Sequence, residues 1–155
     1  LCIRDSPIAD IKGSKDSINA VTFQKIHKGT VKGKGENSPD FSFSNFNTKT
    51  LQLKAFSGDP TEHVTIPFGK GICGQVALTN QNFIVPNVKE HDNYISCNIN
   101  VRSELVIPLF FEGRNIGQID IDSNKTDAFS KEDENLLVLC CNFISKTYGS
   151  RLLKI

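Results

Sequence analysis

Two runs, ELVIPLFF (104–111) and NIGQIDIDS (115–123), separated by the tripeptide EGR, constrain the fold of this chain more than any other feature. Both are of strand length and rich in β-favouring residues, and the glycine between them marks a turn, so they form an antiparallel hairpin. Its register follows from the second run. Ile119 and Ile121 project to one face, while Gln118, Asp120 and Asp122 project to the other. A three-residue loop, Glu112-Gly113-Arg114, pairs Phe111 with Asn115 and sets Ile119 opposite Ile107 and Ile121 opposite Leu105. Asp120 then lies across from Val106, and Asp122 across from Glu104. A two-residue loop would slip the pairing and mix acids with apolar residues, which burial penalises. The hairpin is therefore expected to gather Glu104, Asp120 and Asp122 on one face.

The other elements are shorter. FSFSNF (41–46) and TLQLKAF (50–56) read as a hairpin turning at NTK (47–49), with Leu51, Leu53 and Ala55 on one face. VTIPF (64–68) is a short strand ending at the Gly69-Lys70-Gly71 turn, and a short helix is expected over 72–80. FIVPNV (83–88) is a strand that Pro86 confines to an edge or an end. The polar stretch 89–103 is fifteen residues long, and connections of that length are commonly functional. After it and the central hairpin comes a helix with a capping-box-like start at Ser130 and Asp133. Its apolar stripe is Leu137, Cys140, Cys141, Ile144 and Tyr148. Residues 14–28 carry Ile18, Val21, Phe23 and Ile26 in a pattern between helix and strand. The expected organisation is a poorly defined segment over 1–38, one domain over 39–149 and a tail over 150–155. The sum is an α+β domain whose central antiparallel sheet is flanked by helices.

Charge and cysteine usage narrow the chemistry. Eighteen basic and 17 acidic residues balance to +1, which gives no signal for nucleic acid or a membrane surface. No apolar run is long enough to span a bilayer, and 1–13 has no continuous apolar stretch of the secretory kind. Five cysteines, Cys2, Cys73, Cys97, Cys140 and Cys141, lack paired metal spacing and are odd in number. That pattern fits functional thiols in the cytoplasm better than a secreted disulfide scaffold. Cys140 and Cys141 belong to the apolar stripe and read as packing. Cys97 stands out, because it sits in a polar stretch where a free thiol is not expected.

The stretches IPFGKGICGQVALTNQNFIVPNV and YISCNINVRSELVIPLFFEGRNIGQIDIDSNKTDAFSKEDENLL resemble GAF domains, and more narrowly the GAF-fold free methionine-(R)-sulfoxide reductases. That family carries a G-[KR]-G-[VI]-C-G turn, a cysteine 24 residues later, an acid seven beyond that and a D-I-D strand. Here these are Cys73, Cys97, Glu104 and Asp120-Ile121-Asp122. The resemblance runs from about residue 41 to 144 and implies a GAF-like sheet of about five or six strands. Many members hold a third cysteine ten residues before the turn cysteine, where this chain has His63; a two-cysteine version of the family also exists. Members also place Trp and Tyr in the first central strand as a pocket wall. This chain has no Trp, and Phe41, Phe43 or Phe46 would have to supply that wall.

What the resemblance implies is thiol-dependent reduction of free L-methionine (R)-sulfoxide. Cys97 would attack the sulfoxide sulfur and become a sulfenic acid. Cys73, near a helix N-terminus where the dipole favours thiolate, would resolve it to a disulfide. A thioredoxin-like dithiol would restore the pair by exchange. Glu104 is the candidate proton donor, and Asp120 and Asp122, with Glu104, the candidate ligands of the substrate ammonium; these roles are interchangeable on the sequence alone. Backbone N–H groups of 91–97 are candidates for the substrate carboxylate. No cofactor and no metal is expected, and a homodimer stays open. His63 and His91 read as structural or solvated, and Lys70 as a turn lysine.

A second reading is a non-catalytic sensor GAF domain for a small ligand such as a cyclic nucleotide. Asn124, Lys125, Phe129, Asp133 and Glu134 satisfy the N-K-x(n)-F-x3-D-E string of such domains. The same residues also read as a turn, an anchoring Phe and a helix cap. Three carboxylates would moreover repel a cyclic phosphate.

Overall fold

A computed structural model of the chain describes residues 18–30, 47–58, 61, 63–92, 94 and 99–154. Six strands make one sheet: β1 (Ile18–Thr30), β2 (Asn47–Gly58), β3 (Thr65–Pro67), β4 (Phe83–Val85), β5 (Ser103–Phe111) and β6 (Arg114–Ser123). Their order is β3-β2-β1-β6-β5-β4, and every pairing is antiparallel. Helix α1 (Gly71–Thr79) joins β3 to β4, and α2 (Lys131–Leu152) follows β6.

The β5–β6 register is the one expected over its inner half: Glu104 faces Asp122, Leu105 faces Ile121, Val106 faces Asp120 and Ile107 faces Ile119. The turn that delivers it is different. Phe111 pairs with Arg114, so the loop holds two residues, Glu112 and Gly113, rather than three. Both have positive φ, 50° and 72°, as a type I′ hairpin turn requires. The slip this would impose is cancelled by a bulge: Leu109 pairs with Gly117 and Phe110 with Asn115, leaving Ile116 as the extra residue. Burial fixed the register, and the bulge reconciled it with the tighter turn.

The largest departure concerns the first strand. Residues 18–30, expected to lie in a poorly defined segment ahead of a domain starting at 39, form β1, hydrogen-bonded to β2 on one side and β6 on the other. The partner of β2 is thus β1. The strand expected over 41–46 lies outside the described residues. Asn47 to Lys49, expected as a turn, are the start of β2 and pair with Thr30 to Lys28. A second bulge, where Phe23 pairs with Ala55 but Gln24 with Leu53, turns Leu53 and Ala55 to opposite faces. Of the expected Leu51, Leu53, Ala55 face, only Leu51 is buried.

Both faces of the sheet are covered. On one, Leu105, Ile107, Ile119 and Ile121 pack with Phe129 and with Leu137, Cys140 and Cys141 of α2. The Ser130–Asp133 capping box starts that helix as expected. The stripe ends differently: Tyr148 is exposed, and the last buried positions are Ser145 and Gly149. The reason is Phe111, whose ring lies where a Cβ on Gly149 would fall, 2.1 Å away. The helix runs to Leu152, into the expected tail. On the other face Leu51, Ile66, Val85 and Val106 pack with Ile72, Cys73, Val76 and Ala77 of α1. Each buried Leu, Ile, Val or Phe among them contributes about 1.5–3 kcal/mol of burial free energy. Among the described residues no helix is long and apolar enough to cross a membrane.

Candidate active site

The α1 side of the sheet is apolar at its rim and acidic at its centre. Period-2 alternation in β6 sends Gln118, Asp120 and Asp122 to this face, and cross-strand pairing adds Glu104 from β5 and Thr22 and Gln24 from β1. The acidic face is not a wet one. Glu104, Asp120 and Asp122 are 2%, 1% and 3% exposed. One oxygen from each of the three carboxylates lies within 4.8 Å of the others.

The Gly69-Lys70-Gly71 turn brings a thiol to this cluster. Gly69 and Gly71 have positive φ, 82° and 62°, a conformation that favours glycine. Gly74 lies so close to the preceding turn that a Cβ on it would fall 2.6 Å from the Pro67 carbonyl oxygen. The Gly69 amide donates to the Gly74 carbonyl at 2.7 Å. These close approaches seat the start of α1 on the sheet and bury Cys73. Its Sγ donates to Asp120 Oδ2 at 3.2 Å, and Thr22 Oγ1 donates to the same oxygen at 3.4 Å. Asp120 Oδ1 and Asp122 Oδ1 are buried with no hydrogen-bond partner. Beside them Gln118 Nε2 donates to Gln24 Oε1 at 2.8 Å.

Burial and mutual repulsion set the protonation of this cluster. Desolvation raises the Glu104 pKa well above its ordinary value, and the charges of Asp120 and Asp122 raise it further. Desolvation, then Asp120, does the same to Asp122. Asp120 is pushed up to about 6 by desolvation, against the lowering effect of the hydrogen bonds from Cys73 and Thr22. Like charges about 5 Å apart at an effective dielectric of about 20 repel by about 3 kcal/mol. The cluster therefore holds protons at neutral pH unless a cation enters it. It offers a carboxylic acid for protonating an oxygen and carboxylates for holding a positive group.

The sequence brought the three acids together correctly, and the structure adds Cys73 to them. Cys97 lies outside the described residues, as do Phe41, Phe43 and Phe46 and most of the 91–97 stretch. Of that stretch, the His91 amide is already used, donating to the Val88 carbonyl at 3.3 Å. His63 is half-buried and its amide donates to Thr61 Oγ1; the His91 ring stands 6.5 Å from that of Phe83. Neither histidine belongs to the acid cluster. Lys70 is exposed at the start of α1. Thr22 and Gln24 were missed. Their signal was the polar half of an alternation, Val21 and Phe23 against Thr22 and Gln24, in a segment without turn markers.

The N-K-x(n)-F-x3-D-E string is used by the fold. Phe129 is buried in the α2-side core, and Asp133 closes the capping box. Glu134 accepts from Asn82 Nδ2 at 2.8 Å and pairs with Lys131, tying the start of α2 to the approach to β4.

Residues 37–146 match the family model described as GAF domain. The chain is 35% identical over 99 residues to the free methionine-R-sulfoxide reductase of Saccharomyces cerevisiae, covering 63% of this chain and 54% of that protein. It is 39% identical over 85 residues to the free methionine-R-sulfoxide reductase of Escherichia coli, covering 55% and 51%. The chain thus spans about half the length of these relatives. Among solved structures, a type II free methionine-R-sulfoxide reductase from Thermoplasma acidophilum superposes with a TM-score of 0.69 at 32% identity, covering 84% of this chain and 79% of that one. The resemblance read from the sequence is borne out, and so is the GAF-like sheet of about five or six strands it implied, which has six.

Proposed function

The chain belongs to the GAF-domain family, and from that premise we propose that it reduces free L-methionine (R)-sulfoxide to methionine. The observation that carries this reading is the buried convergence of Glu104, Asp120 and Asp122 with the Cys73 thiol 3.2 Å from Asp120. A free amino acid brings an ammonium, which the ionised members of such a cluster stabilise and which a peptide-bound methionine lacks. The relatives named above carry the same activity in their names and support it.

In this reading the ammonium lodges among the carboxylates. The Cys97 thiolate attacks the sulfoxide sulfur while a cluster carboxyl, Glu104 in our assignment, protonates the oxygen. The S–O bond breaks; methionine leaves, and Cys97 carries the oxygen as sulfenic acid. Cys73 then attacks that sulfur, water departs, and a Cys73–Cys97 disulfide remains. A thioredoxin-like dithiol supplies the two electrons that reopen it. Tyr94 and Val101, which bracket the stretch containing Cys97, both pack into the core that holds Cys73. That placement supports a pairing of the two thiols.

The test is to mix protein, dithiothreitol and racemic free methionine sulfoxide and to measure methionine and the residual epimers. Consumption of the R epimer alone is expected. A folded protein that releases no methionine overturns the reading, and a fully active Cys97→Ser variant removes Cys97 as attacker.

A further inference from the structure

Three carboxylates confronting one ammonium leave an imbalance. A single positive charge neutralises one of them, yet the cluster is buried and two of its oxygens, Asp120 Oδ1 and Asp122 Oδ1, have no hydrogen-bond partner. A fourth donor of different chemistry is present: the Cys73 sulfur, 3.2 Å from Asp120 Oδ2. In a tetrahedral zinc site the metal–oxygen and metal–sulfur bonds of about 2.0–2.3 Å put neighbouring ligand atoms about 3.5 Å apart. The sulfur–oxygen contact, at 3.2 Å, is close to that spacing. The carboxylate oxygens lie within 4.8 Å of one another, and a bound cation would draw them closer.

We propose that this cluster also captures a zinc-class divalent cation, through Glu104, Asp120, Asp122 and the Cys73 thiolate, and that the captured cation closes the site to an amino acid. A thiolate with carboxylates selects zinc, or cobalt as its spectroscopic substitute, over magnesium, which binds oxygen alone and dehydrates reluctantly. Capture converts the Cys73 thiol to thiolate and releases its proton, together with those the carboxyls hold, to solvent; no electron moves. The same step takes Cys73 out of the resolving role and occupies the ammonium position. Cation binding stands on these side chains alone, whereas competition with substrate rests on the function proposed above.

The experiment uses the full chain, reduced with a phosphine so that no thiol reductant chelates the metal. Cobalt is added and the near-ultraviolet sulfur-to-cobalt band is recorded; zinc and magnesium affinities are measured by calorimetry. The expected result is a band in the wild type and in Cys97→Ser, zinc displacing the cobalt, and no band in Cys73→Ser. Asp122→Asn, which keeps the fold if Cys73→Ser does not, should weaken zinc by more than the roughly 10–100-fold that loss of an outer-shell partner costs. A band that survives Cys73→Ser, an unchanged zinc affinity in Asp122→Asn, or no binding at all overturns the proposal. Methionine sulfoxide is then titrated against the zinc-loaded protein. A sulfoxide affinity that zinc does not weaken leaves the metal site standing and overturns the competition, whereas metal-free protein that binds no sulfoxide counts against the function itself.

Discussion

Glu104 and Asp122 face each other directly across the β5–β6 pair, and both are buried. Like charges at directly opposed positions destabilise a sheet, and here desolvation adds to the cost. The fold holds this pair against its own stability, which is the expected signature of a site that waits for a cation. Asp122→Asn should therefore stabilise the apoprotein at neutral pH by roughly 1–3 kcal/mol, read as a rise in the urea midpoint. In the proposed reaction the same change removes a charge-assisted partner worth about 1.5–3 kcal/mol, so KM for methionine sulfoxide should rise roughly ten- to a hundredfold. A variant that is less stable at neutral pH would refute the claim that these acids strain the fold.

The pH dependence follows from the same groups with a definite sign. An acid whose folded pKa is raised binds more protons in the native than in the unfolded state, so its contribution to stability falls as pH rises. For Asp120 the fall begins near the ordinary value of 3.8 and is complete above about 6. Glu104 and Asp122, raised in the same direction, extend it upward. Other carboxylates in the chain titrate too, so the informative quantity is the difference between wild type and Asp122→Asn. The gap in unfolding free energy should be small at pH 4 and widen towards pH 7. A gap that is constant with pH contradicts the assignment.

Gly74 ties the thiol to the sheet. The Cβ of an alanine there would stand 2.6 Å from the Pro67 carbonyl oxygen and 3.1 Å from the Gly69 amide nitrogen, both backbone atoms. Neither can swing aside, so the start of α1 must lift. Gly74→Ala should cost about 1–3 kcal/mol by overpacking and move Cys73 away from Asp120. Equilibrium unfolding gives the first number. The alkylation rate of Cys73 in the folded protein, expected to rise, gives the second.

The two strands most alike at first sight were not equally legible. In β6 the alternation of Ile119 and Ile121 with Asp120 and Asp122 is a strong period-2 signal, and burial of the isoleucines fixed the register even though the turn is one residue shorter than expected. The turn was obscured because Glu112 adopts positive φ, which nothing in its chemistry announces. In β1 the same period exists, but its polar half, Thr22 and Gln24, is buried against the acids and against Gln118. A buried polar face defeats any rule that equates polar with exposed. Tertiary pairing also made Asn47 to Lys49, whose composition suits a turn, into strand, since β1 offered them partners. The acids were legible because a hairpin is local. The Cys73–Asp120 contact joins residues 47 positions apart and was not.

Thr22 tests whether that unread strand serves the site. Its hydroxyl donates to Asp120 Oδ2, the oxygen that also accepts from the Cys73 thiol, and both bonds lower the Asp120 pKa against the desolvation that raises it. The groups facing Asp120 are Cys73 from α1, Glu104 from β5, Asp122 on its own strand and Thr22 from β1. Thr22→Val keeps the shape and removes the hydroxyl, so Asp120 should hold its proton to higher pH. In the proposed reaction the substrate ammonium needs an ionised partner, so the acid limb of the kcat/KM profile should move upward, with Thr22→Ser restoring it. A structural role alone would lower stability in the valine variant without moving that limb. Coincident profiles for wild type and Thr22→Val would leave β1 as scaffold only.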